Sequence, residues 1–380
     1  MQKPRLPAIE YIRGISMMGV IGIHVGAQYL ENPSANMHLT ALFEVVSRFS
    51  VPIFFFISAF GLFYHLDMEK PFSYVEFMKR RFRTVLIPYI VWSLFYLIHD
   101  GWFYQVGYPA LSSLPWILFF GNAKYQLYFL VILLWFYLLM PLWIAIVRRI
   151  AWKGLAILLI LQIAFNYFSS YNTDFHQYIY SLPQGSFFRD LLEYRLNFWV
   201  FHYVFIFLLG GWLSVHFELF RAMMKKHRRL ITAGFWISML SLLGYYYKLI
   251  FITGYNQMEA IFTAHQLSPA GVFYTIMASL FFFTIFTDGN WPKWVHSLLS
   301  LLGRHSYFAY LAHPIAITYL GTMLASTGRI MTAPIAIGFY FAVLILAVLG
   351  AIICRRIGEY IPLLNLLTIG VQAKKKNSSN

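Results

Sequence analysis

Arg13 and His24 lie on one apolar stretch, EYIRGISMMGVIGIHVGAQYL, with ten residues between them. On an α-helix eleven positions advance about 1100°, roughly 20° more than three full turns, so the two side chains share a face about 16 Å apart along the axis. Glu10, three residues before Arg13, points to the same side. An acid, a guanidinium and an imidazole along one stripe of an apolar segment carry a desolvation cost that packing does not require, and this marks the stripe as a place for chemistry. Histidine titrates near neutrality, so His24 is a candidate general base for a hydroxyl nucleophile, with a hydrogen-bonded packing role as the alternative.

Further candidates follow along the chain. Arg80, Arg81 and Arg83 precede the segment TVLIPYIVWSLFYLI. Basic residues there serve as topological anchors, yet a guanidinium also forks onto phosphate, and several around one cavity would hold a polyanion such as a nucleotide. Arg80 is read as an anchor; Arg81 and Arg83 are divided between the two roles. Glu44 and Arg48 are spaced to pair on one helix face, and Pro52 should kink the same helix near its middle and open a cavity. Ser58 follows in the inner half, where its hydroxyl either lines a donor path or bonds back to its own helix. His313, in SYFAYLAHPIAITYL, is expected about 12 Å into a span that begins near His305, with Pro314 disturbing the helix behind it. His202 has no partner at a helical spacing and is read as packing, while His176 with Asp174 lies in an outer loop. No Walker-type phosphate loop, HExxH, GxSxG or Asp-rich metal motif occurs, which argues against ATP hydrolysis, zinc chemistry and ordinary glycosyl transfer.

The elements that must position these residues are membrane helices. Sixty per cent of the 380 residues are apolar, 20% aromatic and only 11% charged, outside the range of a soluble domain. About ten stretches are long enough to span, centred near Val20, Phe54, Trp92, Leu134, Leu161, Ile206, Leu240, Leu280, Thr318 and Leu344. With alternating spans, roughly 21 of the 29 Lys and Arg fall on the side of the termini, about 5 opposite and about 3 within spans. Both termini are then cytoplasmic, and the formal charge of +15 reports topology rather than a nucleic-acid partner. The fold expected is an all-α polytopic membrane protein of about ten transmembrane helices with no soluble domain. The basic start has no cleavage signal behind it, so the first span should be retained. Cys354 is the only cysteine, which excludes an internal disulfide. Two outer segments are long, about 101–124 and about 169–195, and the second mixes aromatics with amides that could meet sugar rings or simply form an interfacial belt. Residues 373–380 read as a basic cytoplasmic tail near anionic headgroups.

With these residues in place the chain resembles the membrane acyltransferase 3 family of bacteria. The resemblance rests on RLPAIEYIRGISMMGVIGIHV with its Arg-x10-His pattern, on PIFFFISAF, on RFR and IPYIVW, and on SYFAYLAHP. Ala59 stands where the family's second-span motif usually has Gly. The resemblance implies an acyltransferase 3 transmembrane domain over residues 1–372, an O-acyltransferase using cytosolic acyl-CoA, and a glycan acceptor at the outer face, closest to the branch that acts on poly-N-acetylglucosamine and related cell-surface polysaccharides. On the family pattern Arg13 and His24 match the first-span pair, and Arg81 and Arg83 match the Arg-x-Arg motif. The site expected is then donor binding by Arg13, Arg81, Arg83 and Ser58, catalysis by His24 with Glu10, and acceptor contacts from His313 and Tyr310. No metal or permanently bound cofactor is expected. The acyl group would be acetyl or, second, succinyl. The setting would be the bacterial inner membrane, the acceptor a glycan or lipid-linked glycan, and the partner a polysaccharide synthase. A polysaccharide transporter or flippase is the alternative from another class, since intramembrane Arg and His also line translocation paths.

Overall fold

In the computed structural model, which describes residues 5–32, 34–287 and 289–371, the chain is helical and the described residues include no strand. Eight helices are long and apolar enough to cross a membrane, and two bent pairs bring the number to ten when each pair counts as one span. In order these are α1 (Pro7–Leu30), α2 (Met37–Tyr64), α3 (Tyr74–Phe103), α4 (Tyr128–Leu138 with Met140–Arg149, bent by 64°) and α5 (Trp152–Tyr171). They continue with α6 (Val200–Val215 with Phe217–Lys226, bent by 97°), α7 (Arg228–Phe251), α8 (Pro269–Thr287), α9 (Lys293–Ser326) and α10 (Ala333–Tyr360). Every centre expected from hydropathy falls inside its span. The basic tail 373–380 lies outside the described residues.

The chain forms two compact units. One comprises Met1–Glu69, Ile146–His176 and Phe201–Val348; the other comprises Lys70–Ala145, Gln177–Val200 and Leu349–Asn380.

In the first unit glycines set the helix spacing. A Cβ on Gly14 would stand 3.0 Å from the Gly303 nitrogen, and one on Gly303 would collide with the Glu10 carbonyl. Helices α1 and α9 therefore meet backbone to backbone, the approach that small residues permit in membranes. Gly22 and Gly26 of α1 instead leave room for side chains of α2, Ser47 beside Gly22 and Phe43 with Glu44 beside Gly26. Gly210 of α6 lies against the Phe56 carbonyl of α2, so the close approach beside PIFFFISAF is supplied from α6, while Ala59 is fully buried.

Two expectations about helix breaks change. In α2 the irregular part precedes Pro52: a π-helical turn covers Ala41–Val45, a 3-10 turn Val46–Phe49, and regular helix begins at Ser50. Proline crowds the turn before it, so the distortion falls on its N-terminal side, and the Tyr274 hydroxyl donates to the Val46 carbonyl there at 2.8 Å. Helix α9 begins at Lys293, not near His305, and runs unbroken through Pro314 to Ser326. His313 therefore sits twenty residues, about 30 Å, from the start of its helix.

In the second unit a π-helical turn, Phe82–Leu86, interrupts α3 between Tyr74–Arg81 and Ile87–Phe103. The short helix α11 (Pro362–Ile369) ends at Gly370, whose φ is 67° and whose Cβ would collide with the Thr84 backbone. Trp92 Nε1 also donates to the Thr368 carbonyl at 3.1 Å, so α11 clamps the turn that carries Arg83. Lys124 pairs with Asp100 at 2.7 Å and lies over the rings of Tyr96, Tyr104 and Tyr125. The segment 177–200 folds into short helices that leave Tyr180 and Phe187 exposed.

Candidate functional site

The Gly14–Gly303 approach brings two imidazoles face to face. The rings of His24 on α1 and His313 on α9 have centroids 5.2 Å apart and an interplanar angle of 22°. His313 is fully buried, and its Nδ1 lies 2.7 Å from the Tyr310 carbonyl. A carbonyl can only accept, so Nδ1 carries the proton and Nε2 is the basic nitrogen. The sequence supplies the reason: Pro314 has no N–H to give to the carbonyl four residues back, which is that of Tyr310, and His313 takes its place. Tyr310 is itself buried, with its ring between Phe54 of α2 and His313 at 6.5 and 6.2 Å. His24, His313 and Tyr310, separated by almost 300 residues, thus form one cluster.

Charge reaches this cluster from α2. Arg48 donates to Glu44 at 2.9 Å, with side chains 14% and 3% exposed, and its Nε is buried with no hydrogen-bond partner among the described residues. Its charge acts on His24 and on His265, which lies in the turn between α7 and α8. At His265, outside the spans, burial and then the Arg48 charge lower the pKa to about 3. Its Nδ1 accepts from the Leu267 backbone at 3.0 Å, and its ring stacks on Tyr171.

Arg13 is exposed on α1, eleven residues and about 16 Å below His24. Glu10 accepts from the Ser300 hydroxyl at 3.2 Å and pairs with Arg304 at 3.9 Å, about 21 Å along α1 from His24. Ser58 is half-buried near the far end of α2. In the second unit Arg81 is held between the rings of Phe77 and Tyr137, at 5.0 and 5.1 Å, whereas Arg80 and Arg83 are exposed. Among the described residues no group of three His, Cys, Asp or Glu is placed to hold a metal ion.

The family model described as "Acyltransferase domain", that of acyltransferase 3, matches residues 6–356. The chain belongs to the acyltransferase 3 family. It is a multi-pass membrane acyltransferase, with nearly the whole chain given to that domain. No curated protein and no solved structure shows significant similarity to it.

This acyltransferase 3 protein also holds a polar cluster that helical spacing reveals only in part. His202, read from the sequence as packing, finds partners on α5. Its Nδ1 lies 2.9 Å from Asn166 Oδ1, and its Nε2 lies 3.4 Å from the Ser169 hydroxyl. Gln162 joins by donating to Asn166 Oδ1 at 2.9 Å. The one signal in the sequence is the run Gln162, Asn166, Ser169 on α5, spaced by four and three residues on a single helix face. By contrast His176 turns back on its own helix, with Nδ1 2.8 Å from the Asn172 carbonyl.

Proposed function

We propose that this acyltransferase 3 protein moves an acyl group, acetyl first and succinyl second, from cytosolic acyl-CoA to a hydroxyl of a cell-surface glycan, with His24 as the base. The observation that carries the reading is the apposition of His24 and His313 where two helices meet through glycine. An imidazole held against a second imidazole inside a membrane helix bundle is expensive to desolvate and is not needed to pack it.

The reaction this arrangement supports is direct transfer. His24 takes the proton from the acceptor hydroxyl, whose oxygen attacks the thioester carbonyl. The carbon–sulfur bond breaks, and the imidazolium returns the proton to the departing CoA thiolate. General base catalysis of this kind contributes about 10² to 10⁴ in rate. His313, its tautomer fixed by the Tyr310 carbonyl, and Tyr310 flank the acceptor side. Arg13 is the phosphate anchor on α1, and its interval of about 16 Å to His24 is roughly the length of a pantetheine arm. Ser58 is a candidate for the donor path. Arg81 and Arg83 are further donor-binding candidates: the rings of Phe77 and Tyr137 orient Arg81, and Arg83 lies at an exposed position. The ion pair of Glu10 with Arg304 supports a role in setting α9 against α1 rather than in proton transfer. The bacterial cell membrane is the proposed setting, with a polysaccharide synthase as partner.

Mass spectrometry of the surface polymer from deletion cells, and from cells complemented with wild type or His24→Ala, tests this reading. It predicts polymer outside the cell that lacks O-acyl groups in the deletion and in the variant, with acylation restored by wild type. Polymer retained inside the deletion cells would replace it with an export function.

A further inference from the structure

A cavity between α2, α5, α6 and the start of α8 carries an inference of its own. Its walls include Pro52, Asn166, His202, Gln266 and Thr275, all in the first unit. Asn166 Oδ1 already accepts from Gln162 Nε2 and from His202 Nδ1, each at 2.9 Å. Gln162 is fully committed, since Nε2 also donates to the Phe201 carbonyl at 2.8 Å and Oε1 accepts from the Phe205 nitrogen at 3.0 Å. Turning the Asn166 amide over would set two NH2 groups against each other, so its orientation is fixed. Asn166 lines the cavity with no exposed surface, and its Nδ2 finds no hydrogen-bond partner among the described residues. The Thr275 hydroxyl, on a residue 3% exposed, likewise has none.

A buried donor without an acceptor is destabilising, so the site calls for a ligand atom that accepts from an amide and pairs with a hydroxyl. Among the described residues no carboxylate, Lys or Arg lines the cavity, so its walls suit a neutral group better than an ion. The volume of about 20 Å³ admits one oxygen-sized group. The position is informative too. Gln266 follows His265, and Pro52 lies four residues beyond Arg48, whose charge reaches both His265 and His24.

We propose that this cavity is a binding site for one neutral hydroxyl-type oxygen, held by Asn166 Nδ2 and Thr275 Oγ1. That chemistry is shared by an ordered water and by a hydroxyl of the sugar acceptor. The acceptor source rests on the glycan acylation proposed above, whereas the oxygen site itself does not.

The test uses the full-length protein in nanodiscs, imaged at a resolution that shows water, with and without an N-acetylglucosamine oligomer as probe. Oxygen density about 2.7–3.2 Å from Asn166 Nδ2 in both samples identifies water, and density only with the oligomer identifies an acceptor hydroxyl. Density in neither overturns the proposal. Asn166→Leu and Thr275→Val supply the second readout. For an acceptor hydroxyl, the KM for the oligomer rises about ten-fold while that for acetyl-CoA holds. For water, both KM values hold and Tm falls. Unchanged KM values with a raised Tm would overturn the site, because an apolar side chain would then have relieved an unmet donor. The imaging needs no turnover, so inactivity toward this oligomer would count against the glycan reading and leave the oxygen site to be decided by the density.

Discussion

Two histidines sit inside the same unit of this protein in opposite surroundings. His202 has each ring nitrogen directed at a partner, Asn166 on one side and Ser169 on the other, and Gln162 beside it is itself committed through both its amide atoms. His24 instead meets the face of a second imidazole, His313, whose proton is assigned by a carbonyl that a proline has stripped of its helical donor. A ring locked by two in-plane hydrogen bonds holds helices together, because moving a proton there breaks the network. The contact of His24 with His313 is through the ring face, and the reading proposed above assigns proton transfer to that ring. The two imidazoles share a bundle but not a setting: His202 is tied into a hydrogen-bonded network, whereas His24 is proposed to move a proton, and substitution separates the two roles.

Substitution of each histidine by alanine is the strongest way to break this contrast. His24→Ala should lower turnover by at least about 100-fold while Tm changes little. His202→Ala should do the reverse, costing about 1–3 kcal/mol of stability by exposing the Asn166 carbonyl to an unfilled space, with turnover per folded molecule largely kept. Thermal unfolding and single-turnover transfer in nanodiscs measure both; equal effects on both quantities at both sites would erase the distinction. Gly303→Val should combine the two losses, because its side chain would press on the Glu10 backbone and move the helix that carries His313, at about 1–3 kcal/mol. Arg83→Glu should raise the KM for acetyl-CoA several-fold and leave Tm within about 0.5 kcal/mol of wild type, the range of a surface change. An unchanged donor KM would return Arg83 to topological anchoring.

The smallest effect concerns pH. His265 is held to about 3 by burial and by Arg48, below the ordinary value of 6.5, so the unfolded chain takes up a proton there before the folded one does. Stability from this site is complete above pH 6.5 and falls as pH drops toward 3. Between pH 7.5 and 5.5 wild type should lose about 1 kcal/mol relative to His265→Gln, measured as the difference in Tm of the two proteins at each pH.

Much of the architecture was legible because the bilayer imposes one length and one polarity on every span. The Arg13–His24 spacing was readable for the same reason, since both residues lie on one helix of known pitch. The pairing of His24 with His313 was not, because it depends on Gly14 meeting Gly303 across nearly 300 residues, and periodicity within a helix carries no information about its neighbour. Pro52 and Pro314 show the limit differently. Each was expected to break its own helix, yet α9 absorbs Pro314 by recruiting His313 to the orphaned carbonyl, and α2 shifts its irregularity to the preceding turn. The His202 cluster escaped because its donors come from α5 and the entry to α6, and only the α5 half shows a helical spacing.

The central claim is that acyl transfer takes place at His24. It is tested most directly by imaging the protein with a non-hydrolysable acetyl-CoA analogue bound. The account predicts the acyl carbonyl carbon beside the His24 ring, with room for an acceptor oxygen about 3–3.5 Å from that carbon and within hydrogen-bond reach of the imidazole. An acyl group seated away from His24, with the analogue fully bound, would contradict it.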